Sequence, residues 1–271
     1  MIWGSMLVLM SKTWFSAWVG LELNLAGFMG LSFFLKSCIE SLIMYFLIQS
    51  ISSSLLLFLL IQFSFMDLNY YNNFMLLLMV VLSVKVGVAP LHWWLVLVSL
   101  GQSWVGLLIL LSWQKMAPLL LIFNLNLNYY LIKLIVVVSG LWGSMVGFMQ
   151  INLKLILTYS SISHLPWMLV LILEKLSWYF YLFIYSLNLL MVVMFIIFSN
   201  SSKSLFILMK KFKLLFTLSL LSLGGFPPLL GFLPKWYAVM SIFNYTLILI
   251  LVLSSVINLF FYLRLSYSFV M

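Results

Sequence analysis

The chain has 271 residues, 66% of them hydrophobic and only 6% charged, with a formal net charge of +9. A soluble domain carries about 25% charged residues, so the composition leaves no room for one and indicates an all-α polytopic membrane protein, a single transmembrane domain over residues 1–271. The basic residues lie scattered between apolar runs, which argues against nucleic acid as a partner and fits loops lying beside anionic lipid.

The chain begins with a short apolar stretch, Met1–Met10, without a positive n-region or a small-residue cleavage site. A span needs about 20 apolar residues. Nine full spans are predicted after that short helix, near 14–35, 41–64, 73–99, 104–123, 131–149, 152–173, 177–199, 212–242 and 245–266. Alternating them collects Lys36, Lys154, Lys203, Lys210, Lys211, Lys213 and Arg264 on one side, and Lys12, Lys133 and Lys175 on the other. By the positive-inside rule the first side, which includes the lysine-rich loop 200–213 and the C-terminus, faces the matrix or cytoplasm.

Two spans are interrupted. The first reads Val84-Lys85-Val86-Gly87-Val88-Ala89-Pro90-Leu91-His92-Trp93-Trp94, and the second reads Leu223-Gly224-Gly225-Phe226-Pro227-Pro228 on to Pro234-Lys235-Trp236. Proline removes a helix hydrogen bond and frees a carbonyl, here those of Val86, Leu223 and Gly224, which lipid cannot satisfy. Non-helical backbone turned away from lipid is expected around Gly87–Pro90 and around Gly224–Pro228. A proline break paired with a buried lysine in each half points to an antiporter-like inverted repeat.

Ten of the thirteen basic residues can reach an interface, and the lysines near span ends are read as snorkelling. Lys85, Lys115 and Lys235 cannot, and among the acids only Glu22 is central. An ammonium at the centre of a bilayer costs roughly 2.5–3.5 kcal/mol by insertion scales. One carboxylate cannot pair three lysines, so a polar interior path is expected. Burial disfavours the charged form of a lysine and a nearby carboxylate restores it. That is the chemistry of a proton relay, with the lysines as stations, Glu22 as a switch close to Lys85, and His164 able to donate and accept between stations. A hydrogen-bonded core histidine is the other reading of His164, and His92 is assigned a structural role. The expected spatial order is Lys85, Lys115, Lys235, with His164 beside Lys115 or after it, and with hydroxyls such as those of Ser161 and Ser163 or a few waters in the gaps. The single cysteine, two histidines and four dispersed acids form no convincing metal site, and no nucleotide-binding glycine motif occurs.

Six motifs occur in order: Trp18-Val-Gly-Leu-Glu22-Leu-Asn24, Lys85 to Trp94, Trp113-Gln114-Lys115-Met-Ala-Pro118, Tyr159-Ser-Ser-Ile-Ser-His164-Leu-Pro166-Trp167, Gly224 to Trp236, and Phe260-Phe-Tyr-Leu-Arg264-Leu-Ser-Tyr267. Together they resemble the chain 2 family of animal mitochondrial NADH–ubiquinone oxidoreductase, the antiporter-like membrane subunits of respiratory complex I. The resemblance implies two inverted five-helix repeats, trimmed at the start, in the mitochondrial inner membrane. It implies a Glu22–Lys85 pair, Lys115 as the central station, and Lys235 leading toward the neighbouring antiporter-like chain. It also implies small hydrophobic subunits and inner-membrane lipids such as cardiolipin as partners, and flavin, iron–sulfur clusters and ubiquinone held elsewhere in the complex rather than in this chain. Where the family has Pro-Glu after its His-aromatic-Trp motif, this chain has Val96-Leu97. It also starts and stops shorter than the family's usual members. A separate cation/proton antiporter and a non-transporting scaffold of complex I are the rival readings.

Overall fold

Long apolar runs fold into helices because only a helix satisfies every backbone N–H and C=O within its own segment when lipid surrounds it. The computed structural model describes residues 1–65, 71–125, 129–201, 208–242 and 244–270. Among these residues all regular structure is helical. In order the helices are α1 (Ile2–Met10), α2 (Trp14–Phe34), α3 (Ile39–Phe65), α4 (Tyr71–Val86), α5 (Trp93–Gly101), α6 (Trp104–Leu111), α7 (Trp113–Asn124), α8 (Tyr129–Met149), α9 (Leu153–Leu173), α10 (Trp178–Ser201), α11 (Leu208–Gly224), α12 (Phe232–Ser241) and α13 (Tyr245–Val270). Seven stretches are long and apolar enough to cross a membrane, and the helices ending at Val86 and Gly224 are shorter. Much of the lysine-rich loop 200–213, including Lys203, lies outside the described residues, as does Asp67.

The chain divides into two compact units, Met1–Ile135 and Val136–Met271. In the first, α2 and α3 pack together, α4 lies against α3 and α7, and α1 lies on α2 and α7. The seam between α1 and α2 is made by absent side chains. A Cβ on Gly4 would come within 2.7 Å of the Gly20 carbonyl and the Asn24 nitrogen, and one on Gly20 within 2.9 Å of the Gly4 carbonyl. Small residues let helix backbones approach where lipid offers no hydrophobic drive.

In the second unit α9 is the axis. Its residues from Ile156 to Ile172 are all buried, with α10, α12 and α13 around it. At Gly143 of α8 a Cβ would meet the Ser163 nitrogen at 2.9 Å. A buried helix containing Thr158, Ser160, Ser161 and Ser163 must satisfy four hydroxyls. Each donates to a carbonyl three residues back, at 2.7–2.8 Å, and so remains able to accept.

Both expected breaks are present, and the glycine ends each helix before the proline is reached. Gly87 and Gly225 take φ of +76° and +81°, a left-handed conformation that glycine adopts without a Cβ penalty. Val88 N–H then donates to Ser83 and Phe226 N–H to Leu221, the five-residue return of a Schellman cap. Non-helical backbone runs over residues 87–92 and 225–231. The two breaks differ in burial. Gly87, Val88 and Ala89 are buried while Pro90 is exposed, and in the second break Phe226, Pro227 and Pro228 are all exposed on the chain. The expectation that both breaks turn wholly inward is corrected at Pro90 and, more extensively, at the second break. Its exposed side chains are apolar, and its Gly224 carbonyl is satisfied internally, so exposure leaves that polar group covered.

A third interruption was not expected. The helix from Trp104 breaks at Ser112 (φ −111°, ψ −73°), and α7 restarts at Trp113. Pro118, six residues on, cannot donate to the Gln114 carbonyl. The interruption lies three residues before Lys115.

Candidate functional site

Lys85 is in the last turn of α4, where the partial negative charge of the helix end favours a cation. Ending α4 at Val86 exposes its final carbonyls, and each of three finds a donor. Ser83 takes the Gly87 and Val88 N–H groups, Val84 takes the Trp94 indole N–H at 2.9 Å, and Lys85 takes the Gln49 amide at 3.3 Å. In return the Lys85 ammonium donates to the Gln49 carbonyl at 3.4 Å. The pair clasps α3 to α4 through one charged and one neutral hydrogen bond.

Glu22 is half-buried on α2, in the same unit as Lys85, while the hydrogen bond of the ammonium goes to Gln49.

Lys115, in the first turn of α7, is only 2% exposed. Lys85 and Lys115 line one cavity, together with Asn24, Tyr45, Gln49 and Gln114. The cavity offers about 20 Å³ to the centres of water molecules, enough for a water. The Tyr45 hydroxyl donates to the Gln114 side-chain carbonyl at 3.4 Å. Two ammonium groups and four polar side chains thus converge inside a unit made of apolar helices.

In the second unit His164 sits mid-way along α9. Its Nδ1 and the Tyr181 hydroxyl are 2.7 Å apart, and the Tyr185 ring lies 4.9 Å from the imidazole, centroid to centroid. Asn258 donates to the Ser163 hydroxyl at 2.8 Å. His164 lines a smaller cavity, about 10 Å³ for water centres, with Tyr181, Tyr185, Asn188, Ser222 and Pro234. Lys235 follows Pro234 in α12 and is buried. It stands in the first turn of its own helix, where the positive end of the dipole disfavours a cation. Its ammonium instead reaches back to the carbonyl of Gly224, the last residue of α11, at 2.7 Å. The two break lysines enter from opposite sides of their interruptions: Lys85 is itself part of the carbonyl end of α4 and bonds to α3, whereas Lys235 reaches back to the carbonyl end of α11.

Lys85 and Lys115 thus share one cavity of the first unit, a unit that also contains Glu22, while His164 and Lys235 lie in the second unit. Ser161 and Ser163 spend their protons on α9 carbonyls, and Ser163 accepts from Asn258. His92 precedes α5 and stacks on Trp93. Asn24, Tyr45, Gln49 and Gln114 escaped the reading of charges. The available signal was an isolated amide in an apolar span, as with Gln49 within Ile39–Phe65. Among the described residues no three His, Cys, Asp or Glu side chains come together as a metal site would require.

Comparison with known proteins bears on this arrangement. A sequence model of the family described as NADH:quinone oxidoreductase/Mrp antiporter, transmembrane, matches residues 11–261. NADH-ubiquinone oxidoreductase chain 2 of Anopheles gambiae is 40% identical, over 100% of this chain and 84% of that protein. The protein of the same name in Didelphis virginiana is 34% identical, over 98% of this chain and 82% of its own length. Among solved structures, a chain of respiratory complex I from Thermus thermophilus with bound aureothin superposes with a TM-score of 0.84 at 22% identity, over 97% of this chain and 67% of that one. A chain of the Mrp complex from Dietzia sp. DQ12-45-1b gives 0.83 at 16% identity, over 96% and 57%. The two structures share the fold with this chain. The model match and the full-length identities go further: the chain belongs to the NADH:quinone oxidoreductase/Mrp antiporter transmembrane family, alongside the relatives named NADH-ubiquinone oxidoreductase chain 2.

Proposed function

We propose that this chain is a proton-translocating membrane-arm subunit of respiratory complex I, in which the buried lysines and His164 load and release protons as quinone is reduced elsewhere in the complex. The observation that carries this reading is the cavity shared by Lys85 and Lys115. A unit built of apolar helices gains no packing from two buried ammonium groups, and such residues in a membrane protein mark an ion or proton path.

In this mechanism Lys85 has two partners of different kinds. The Gln49 carbonyl holds its ammonium by a fixed dipole, and the Glu22 carboxylate acts on it by charge. A change in the charge of Glu22 shifts the balance at Lys85, and Lys85 in turn acts on Lys115 across the cavity. In the second unit Lys235 rests on the Gly224 carbonyl, and His164 is held by Tyr181 in a pose from which its other ring nitrogen can exchange a proton. Flavin, iron–sulfur clusters and ubiquinone belong to other subunits in this proposal. The partners of this chain are the neighbouring antiporter-like chain, small hydrophobic subunits and inner-membrane lipids. The side bearing Lys36 and the loop 200–213 faces the matrix.

The fold alone does not separate this reading from a stand-alone or multi-subunit antiporter, because the Mrp complex chain shares it. Sequence does favour one: identity is 40% to the chain 2 relative and 16% to the Mrp chain. The test is a pair of variants in the assembled complex. Lys115→Met keeps the approximate length and removes the titrating group, and Lys115→Arg keeps a charge that does not deprotonate. Both are expected to assemble, to oxidise NADH with an artificial electron acceptor at the normal rate, and to lose most quinone-coupled turnover. Wild-type coupled turnover in both would favour the scaffold reading.

A further inference from the structure

The cavity between Lys85 and Lys115 contains two amide atoms that the protein leaves unsatisfied. Asn24 Oδ1 and Gln114 Nε2 are buried and have no hydrogen-bond partner among the described residues. Asn24 as a whole is only 2% exposed, and both residues line the cavity. Leaving a buried polar atom unpaired costs about 1–3 kcal/mol, and native proteins avoid it with ordered water. The two atoms are complementary, since a side-chain carbonyl accepts and an amide N–H donates. A single water can take a hydrogen bond from Gln114 and give one to Asn24, and its remaining lone pair can accept from a lysine ammonium of the same cavity, while its remaining proton can pass only to a lysine that is neutral. The volume suits a water and excludes anything much larger.

We propose that Asn24 and Gln114 form a built water site between Lys85 and Lys115, and that Asn24 is a positioning residue which holds this water where a proton can cross the gap. The inference deepens the relay reading and rests on it for its functional consequence. Asn24 is placed by the backbone. It lies on α2 two residues after Glu22, and the Gly4–Gly20 seam brings α1 hard against its nitrogen. Gln114 is placed by the restart of α7 after Ser112 and by its bond from Tyr45. The Gln114 carbonyl accepts from Tyr45, which leaves its amide nitrogen as the atom without a partner. The water is thus oriented by one acceptor and one donor whose own positions are fixed.

The first test is a high-resolution map of the intact complex. Solvent density is expected within hydrogen-bond distance of both Asn24 Oδ1 and Gln114 Nε2. A dry cavity, or the two amides bonded directly to each other, overturns the proposal whatever the variants do. The second test compares Asn24→Leu, which keeps the volume and removes the acceptor, with Asn24→Ser, which restores a hydroxyl. Asn24→Leu is expected to lose the solvent density and to slow coupled turnover about tenfold, the worth of one hydrogen bond in a rate-limiting path. NADH oxidation with an artificial acceptor is expected to be unchanged, and Asn24→Ser is expected to recover most of the turnover. Equal loss in both variants would show a packing role and overturn the positioning role. The map also separates this inference from its parent. If Lys115→Met pumped normally the relay would fall, while the density at the two amides would still be read on its own.

Discussion

At the scale of single residues, two of the buried lysines are held by backbone carbonyls. Lys85 donates to Gln49 and Lys235 to Gly224. The charges themselves stood out in the sequence, because an ammonium in an apolar run is costly and rare. Their partners did not, because any carbonyl can serve and none is marked by its side chain. Gly225 shows how tightly one partner is set. A Cβ there would come within 2.8 Å of the Lys235 ammonium and 2.9 Å of its Cδ, and the residue has φ of +81°. Gly225→Ala is therefore expected to cost about 1–2 kcal/mol in backbone strain and to displace the ammonium from Gly224. The measurement is coupled turnover of the assembled complex beside its content on native gels. A fall in turnover per assembled complex is expected, and unchanged turnover would show that the Lys235–Gly224 contact is dispensable.

Helices and their interruptions show a second kind of legibility. The two breaks were visible because glycine and proline are rare signals with defined backbone effects. Proline drew attention to the place, and the structure assigns the stop to Gly87 and Gly225. The interruption at Ser112 had no such marker: neither glycine nor proline stands there, and Pro118 lies six residues on, inside α7. The amides Asn24, Gln49 and Gln114 were hidden for a related reason. Which face of an apolar helix points inward is set by its neighbours, and a membrane helix lacks the polar stripe that would reveal it. Close helix approaches make a prediction at this scale. Gly20→Val should separate α1 from α2, and Gly143→Val should separate α8 from α9, each at about 1–3 kcal/mol for overpacking. Gly30, whose Cβ would meet nothing within 4 Å, should accept alanine. Native-gel abundance of the complex checks this, and equal abundance of all three variants would contradict the packing described.

Across the whole molecule the apolar composition and the order of motifs were sufficient to read an antiporter-like membrane fold, and each of the two compact units contains one glycine–proline break. Orientation is a separate matter, which rests on the distribution of lysines. The chain's single cysteine gives a direct probe. Cys38 is exposed and lies two residues from Lys36, in the turn between α2 and α3. A membrane-impermeant thiol reagent should modify Cys38 from the matrix side of the inner membrane. Modification from the opposite side would invert the topology.

Whether protons pass through the polar interior that Lys85 and Lys115 line is tested more directly by a stoichiometry than by any rate. The measurement is the number of protons moved per electron by complex I carrying Lys115→Met, reconstituted in sealed vesicles and compared with the wild type at matched electron flux. A lower ratio is expected at whatever flux the variant sustains. A wild-type ratio in a normally assembled complex would contradict it.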